Sequence, residues 1–182
     1  ARALGAMAKR HPGLRVPGAF DGFEVAVRAI LGQQVSVTAA RTVAGRFAAA
    51  FGDPIETPFA SLTTVFPSAG RIADTPYGRI AGLGMPGARA RSVVALARAV
   101  AHEHLVLMPN ADIEATLEQL RALPGVGEWT AQYIAMRSLA WPDAFPHTDL
   151  GVMKALVETD ARRVLAAGEA WRPWRAYAVM HL

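Results

Sequence analysis

The sequence predicts an all-α fold, and three observations predict it. Apolar residues recur at helical spacing through most of the chain. Ser and Asp residues stand where helix caps belong, at Asp21, Ser36, Asp112 and Asp149. No stretch combines period-2 alternation with a hairpin turn.

Each element follows in order. Asp21 opens Asp21-Gly22-Phe23-Glu24, where the aspartate can cap a helix and Glu24 can reach back to it. Phe23, Val27, Ile30 and Leu31 recur behind it until Gly32 ends the pattern. Gln33-Gln34-Val35 links to a second helix, capped by Ser36, running to about Phe51 and closed by Gly52-Asp53-Pro54. Residues 52–68, with Pro54, Pro58 and Pro67, read as irregular. Short helices are expected near 68–74 and 76–82. A longer one runs from about Gly87 to His104, burying Val93, Val94, Leu96, Ala97 and Val100. Residues 104–109 are strand-like but alone, and one strand needs a partner. Asp112 caps a helix with Ile113, Leu117 and Leu120 at i, i+4 and i+7. Leu123-Pro124-Gly125-Val126-Gly127 makes a turn into a helix from about Glu128 to Leu139, and Trp141-Pro142-Asp143 breaks it. Asp149 opens a helix to about Val157, and two last helices fit 160–170 and 173–182. The expectation is eight to ten helices.

Composition removes several function classes. A chain that is 52% hydrophobic and 19% charged is not disordered. No run of about 18 apolar residues is long enough to span a membrane, and residues 1–20 carry no secretory signature. With no cysteine there is no disulfide, thiolate-bound zinc or iron–sulfur cluster. Net charge is +4 and almost all cations are Arg, the lysines being Lys9 and Lys154 alone. That balance favours an anionic partner, nucleic acid first, against the plainer reading of a solvated Arg-rich surface. Five histidines invite a metal reading, but His102 and His104, two residues apart, fall on different faces of a helix.

The turn at 123–127 carries the most chemistry. Two glycines two residues apart permit backbone angles closed to other residues and let the main chain approach another molecule. The helix that follows turns its unpaired N–H groups and positive dipole end outward, which suits a phosphate. An ordinary glycine-capped helix–helix turn reads the same way. Asp149, taken alone, is a residue enriched in the first turn of helices. Trp129 and Tyr133, four apart, share one helix face and alone read equally well as a core stripe.

The longer string Leu123–Ala131, L-P-G-V-G-E-W-T-A, resembles the helix-hairpin-helix signature of the DNA glycosylase superfamily, and Asp149 lies 22 residues beyond Gly127. V-R-A-I-L-G-Q-Q-V-S (27–36), G-L-G-M-P-G-A-R-A (82–90), P-H-T-D-L-G (146–151) and W-R-P-W-R-A-Y-A (171–178) resemble its alkylation-repair branch, the 3-methyladenine DNA glycosylase II (AlkA) type, in colinear order. The resemblance implies a two-lobed fold with a cleft between lobes, lobe one near 22–140 and lobe two 1–21 plus 141–182. It implies hydrolysis of the N-glycosidic bond of alkylated purines in duplex DNA. Asp149 would be the catalytic carboxylate, and Trp129 and Tyr133 aromatic walls of the base pocket.

The resemblance further implies that Gln33, Gln34, Gly125, Val126, Gly127 and Thr130 meet DNA, with Gln34 as the wedge that fills the place of the flipped base. Carbonyls of Arg121, Leu123 and Val126 would bind a monovalent cation, Na+ or K+, with no catalytic cofactor. Glu128 stands where a relative has a basic residue, and would repel phosphate. Strand-cutting relatives carry a lysine two residues past the second hairpin glycine. Trp129 takes that place, so no abasic-site lyase activity is expected. The expected protein is a monomer preceded by a further domain, in the bacterial cytoplasm with the nucleoid or in a eukaryotic nucleus. Two alternatives stay open: a non-catalytic helix-hairpin-helix module that only grips DNA, and a glycosylase for oxidised or mismatched bases. Trp129 and the missing cysteines speak against the latter.

Overall fold

The computed structural model describes residues 4–182; residues 1–3, part of the expected second lobe, lie outside the described residues. Helices dominate: α1 (Gly5–Arg10), α2 (Gly22–Leu31), α3 (Val37–Phe51), α4 (Ala69–Ala73), α5 (Tyr77–Ala81), α6 (Gly87–Ala101), α7 (Ile113–Ala122), α8 (Glu128–Ser138), α9 (Leu150–Ala155), α10 (Ala161–Gly168) and α11 (Arg175–His181). A 3-10 turn, Glu169–Trp171, follows α10. The chain divides into two compact units. One holds the described residues up to Gly22 with Leu107–Leu117 and Gly127–Leu182; the other holds Phe23–Val106 and Glu118–Val126.

This division differs from the expected lobes, 22–140 and 1–21 plus 141–182. Residues 107–117 and 127–140 group with the chain ends, and the cause lies in how α8 is tied down. Gln132 accepts the N–H of Phe145 through Oε1 at 2.9 Å and donates to Glu128 Oε1 at 2.9 Å. Ser138 donates to the carbonyl of Gly22, and Arg137 to that of Pro17 at 2.9 Å. Gly22 itself sits so close to Leu107 that an added Cβ would lie 2.1 Å from its carbonyl oxygen.

In the terminal unit, Phe145, Val152 and Val164 form a core covered by Met153, Leu156, Trp171 and Val179. Beside it lies a buried ion pair. Arg175, 5% exposed, sends Nε and Nη2 to the two carboxylate oxygens of Asp143, 6% exposed, at 2.8 and 2.9 Å. Arg175 Nε also reaches the Asp143 carbonyl at 3.1 Å. Arg172 adds a second guanidinium to Asp143 and pairs with Glu169 at 2.8 Å. That hydrogen bond from Arg172 holds the Glu169 carboxyl below its usual range. A bidentate pair of this kind is strong because both groups exchange water for matched partners.

In the other unit, α4 and α5 pack on α6. Phe47 meets Phe51 edge-on at 5.3 Å and Phe66 at 5.4 Å, and Ile30, Leu31, Ile72, Ile80, Val93 and Leu96 are fully enclosed. The proline-rich segment is ordered. β1 (Asp53–Pro54) pairs antiparallel with β2 (Thr64–Val65), and Thr57 Oγ1 donates to the Leu62 carbonyl at 2.9 Å inside the loop. Proline tolerates such an edge position because no ladder N–H is needed there. The strand-like run 104–109 forms no strand.

Asp143→Ala is expected to leave the buried Arg175 guanidinium without its bidentate partner, Glu169 alone remaining at 3.6 Å, and to lower the unfolding free energy by about 3–5 kcal/mol. Urea denaturation checks this; a change below about 1 kcal/mol would show that the pair is not desolvated in solution.

Candidate active site and hairpin turn

Asp149 is the N-cap of α9, with φ −69° and ψ 129°. Its Oδ1 accepts the main-chain N–H of Gly151 at 2.8 Å and of Val152 at 3.2 Å. Its Oδ2 accepts the indole N–H of Trp129 at 2.6 Å. The half-buried carboxylate thus takes three donors, two from the helix it opens and one from α8. Main-chain and indole N–H groups donate only, so both oxygens are fixed as acceptors and the plane of the group is set. The structure joins Asp149 to Trp129 by the indole hydrogen bond and Trp129 to Tyr133 by ring contact. Trp129 and Tyr133 stack on each other, centroids 5.4 Å apart and planes 21° apart. The Arg137 guanidinium lies 5.4 Å from the Tyr133 centroid. Residues four apart lie one above the other on a helix, so Trp129, Tyr133 and Arg137 form a column with Trp129 at its N-terminal end.

The indole bond to Asp149 had no sequence signal, because nothing in the spacing of residues 129 and 149 states that their side chains meet. Gln132, the residue just past the 123–131 string, also went unread, although it ties α8 to the segment that leads to Asp149. Glu128 lies within reach of Gln132, which donates to it along the helix.

The hairpin residues divide by environment. Gly125 has φ +75°, in the left-handed region that favours glycine, and an added Cβ would lie 2.4 Å from Ser92 Oγ on α6. Gly127 has φ −93° and ψ −178°, extended backbone open to any residue, and a Cβ there would meet nothing within 4 Å. Of the two angles that the glycines permit, Gly125 alone uses one closed to other residues, while the missing side chain of Gly127 leaves open space. Val126 is buried and donates its N–H to the Leu123 carbonyl at 3.2 Å. Thr130, expected at the phosphate, has its side chain inside the fold at 2% exposure. Gln33 donates from Nε2 to the Gly125 carbonyl at 2.9 Å, and Gln34 is exposed with φ +55°. His102 and His104 fall past the end of α6, and no group of three or more metal-ligating residues occurs among the described residues.

Fold and turn together define a helix-hairpin-helix protein. The chain belongs to the HhH-GPD superfamily of base excision DNA repair proteins, whose family model matches residues 27–164. It is 46% identical over 183 residues to the probable bifunctional transcriptional activator/DNA repair enzyme AlkA of Mycobacterium tuberculosis, covering 98% of this chain and 36% of that relative. It is 36% identical to DNA-3-methyladenine glycosylase 2 of Escherichia coli, covering 99% of this chain and 63% of the relative. The chain therefore spans between about a third and two thirds of the length of these curated relatives. Among solved structures, a 3-methyladenine DNA-glycosylase from Archaeoglobus fulgidus matches with TM-score 0.79 and 24% identity, over 100% of this chain and 64% of that one. A Clostridium acetobutylicum 8-oxoguanine glycosylase/lyase matches with TM-score 0.82 and 17% identity, over 99% and 64%. These two structural likenesses speak to the fold.

Gly125→Ala and Gly127→Ala should separate conformation from access. The first places a side chain at positive φ and against Ser92, and should cost at least about 1–2 kcal/mol of stability. The second should leave stability within about 0.5 kcal/mol while weakening duplex binding. Equal effects of the two on the unfolding midpoint would contradict this assignment.

Proposed function

We propose that the chain is the catalytic part of a monofunctional DNA glycosylase that hydrolyses the N-glycosidic bond of alkylated purines in duplex DNA. The observation that carries this reading is the Asp149 carboxylate, fixed by three N–H donors beside the Trp129–Tyr133 stack. An alkylated purine is cationic and already a good leaving group. Breaking its bond to the sugar builds an oxocarbenium-like cation on the deoxyribose. A carboxylate held in place near that sugar stabilises the charge and can orient or deprotonate water, with no metal in the step. An electron-rich indole face attracts a cationic base, which selects for charge and a weak bond more than for hydrogen-bond pattern. Because the base must leave the stack, a side chain has to hold its place, and the exposed Gln34 turn is our choice for it. Gly127, open in front and opening α8, is our choice for the phosphate contact.

The reading includes a monovalent cation at the carbonyls of Arg121, Leu123 and Val126. Neutral oxygens at the C-terminal end of α7 suit a hard cation, which the helix dipole favours there. It also takes the protein to act as a monomer, wherever the cell keeps its DNA; no helix among the described residues is long and apolar enough to cross a membrane. A domain preceding this chain is part of the proposal, in keeping with the greater length of the relatives.

Asp149→Asn keeps one oxygen for the N–H groups of Gly151 and Val152, removes the charge, and puts an NH2 where the oxygen accepts the Trp129 indole N–H. It should lower release of methylated purines from alkylated duplex by several orders of magnitude while duplex affinity stays within a few-fold, since the charge acts at the transition state. Chromatography of released bases reads the first and a titration the second. Near wild-type turnover would overturn the catalytic assignment, and a chain that binds duplex but never releases base would favour the binding module.

The proposed reaction stops at an abasic site. A Schiff base with the sugar needs an amine, and Trp129 occupies the position where strand-cutting relatives carry lysine. Lys154 is exposed on α9 and five residues past Asp149, about 500° around the helix. Lys9 lies in the last turn of α1. Borohydride should trap no covalent protein–DNA adduct while base is still released. Efficient trapping that disappears on changing Lys154 would mean a lyase.

A further inference from the structure

One side chain joins the turn that carries Gln34 to the turn of the hairpin. Gln33 donates from Nε2 to the Gly125 carbonyl at 2.9 Å, across 92 residues of sequence. On its other side, Arg89 Nη2 donates to the Gln33 carbonyl at 2.6 Å. Both anchors rest on the first turns of α6. Arg89 lies there, and Ser92, one turn on, closes against Gly125 while its Oγ donates back to the Ala88 carbonyl at 3.1 Å. All of these residues belong to the same compact unit.

The geometry of the peptide group makes this consequential. The carbonyl that Arg89 holds belongs to the peptide plane that begins at Gln33 and ends at the nitrogen of Gln34. Rotation about φ of Gln34 is measured from that plane. Gln34 has φ +55°, a region that L side chains avoid and that persists where the surroundings over-determine it. Upstream, Gln33 is also held by its own N–H, which donates to the Ile30 carbonyl at 3.3 Å at the end of α2. Gln33 is thus fixed at its N–H, its carbonyl and its side chain, and the residue after it is turned outward in a strained conformation.

We infer that Gln33 is a positioning residue: it holds Gln34 in its outward left-handed conformation and couples that conformation to the hairpin turn through the Gly125 carbonyl. This rests on the glycosylase reading, in which Gln34 fills the place of the displaced base. It assigns Gln33 a role through Gln34 and not a contact of its own with DNA. Its amide donor is spent inside the protein, so its contribution should appear only when a stacked base has to be displaced.

The experiment is a double-mutant cycle with the whole chain. Gln33→Met keeps the side-chain length and removes the donor. Release of a methylated purine is timed in single turnover from a duplex and from the same sequence as a single strand. Gln33→Met should slow the duplex reaction about tenfold, the effect of one lost coupling of ordinary size, and the single-strand reaction less than twofold. In a Gln34→Ala background it should add less than twofold on either substrate. Arg89→Lys, which loosens the carbonyl anchor and keeps the charge, should reproduce the pattern more weakly and stands in if Gln33→Met does not fold. Equal slowing on both substrates, or an undiminished tenfold loss in the Gln34→Ala background, would overturn the inference while leaving the glycosylase reading intact. An unsubstituted chain that releases no base from either substrate would remove that reading, and this inference with it.

Discussion

A carboxylate and a guanidinium enclosed at 6% and 5% exposure can remain ions in a protein interior only when counter-charges satisfy them, and the Asp143–Arg175 pair, with Arg172 and Glu169 beside it, imposes that constraint on the terminal unit. Asp143 lies within the segment that crosses from α8 to α9. Arg175 begins α11. Neither end can drift without stranding a charge. Two residues on from Asp143, the N–H of Phe145 is accepted by Gln132 from the middle of α8. Gly168 has no room for a Cβ against the Phe145 ring, which would lie 2.4 Å away, so α10 closes down on the same residue. By the time the chain reaches Asp149 its path has been fixed from three helices.

That path explains why Trp129 and Asp149 meet. Trp129 stands one turn before Gln132 on α8, and Asp149 four residues after Phe145. Once Gln132 and Phe145 are joined, helix and segment are pinned together within a few residues of the indole and the carboxylate. The resulting bond joins two groups that sequence reading assigned separate tasks, one as a ring and one as a charge. The indole is also a hydrogen-bond donor that orients the carboxylate. Phenylalanine in its place would keep the aromatic face and lose that hold. Under the proposed function, a carboxylate already oriented in this way needs no reorganisation while charge builds on the sugar.

Helix bodies and most caps were legible in the sequence; helix ends were less so. Ser36 accepts from Ala39 and Asp112 from Ala115, as the spacing predicts. The helices expected to reach His104, Leu139 and Val157 stop sooner, at Ala101, Ser138 and Ala155. At each stop a residue other than glycine takes the left-handed angle: Glu103 at φ +57°, Ala140 at +52° and Val157 at +52°. The N–H groups that follow turn back to earlier carbonyls, as from Leu105 to Ala99, Trp141 to Ala135 and Glu158 to Met153. Glycine is the signal a reader looks for at such ends; here exposed residues of other types take the angle, and local backbone hydrogen bonds close the helix. The short ribbon of β1 and β2 was hidden for a related reason. Its register depends on the close approach of Gly52 to Val65, a contact between positions that no local pattern links. Helix α1 was not anticipated at all, because six residues carry too little periodicity to stand out.

The two hairpin glycines mark the limit of such reading most sharply. In sequence Gly125 and Gly127 are interchangeable members of one motif. In the fold, the demand on Gly125 comes from inside: a positive φ and the hydroxyl of Ser92, a residue 33 positions earlier whose presence at the turn depends on the packing of α6. The demand on Gly127, the N-cap of α8, comes neither from its angles, which suit any residue, nor from crowding, since its surroundings are open. A position that tolerates a side chain by every internal criterion, yet lies in a motif whose neighbouring glycine does not, is one where a constraint has to be sought outside the chain. The same logic separates Gln33 from Gln34. Adjacent and identical in type, one spends its amide on the protein's own backbone and the other is held outward at a cost in conformation. Strain on an exposed polar side chain, maintained by the residue before it, gains nothing for the isolated chain. It is accounted for if the outward form is the one that meets the nucleic acid.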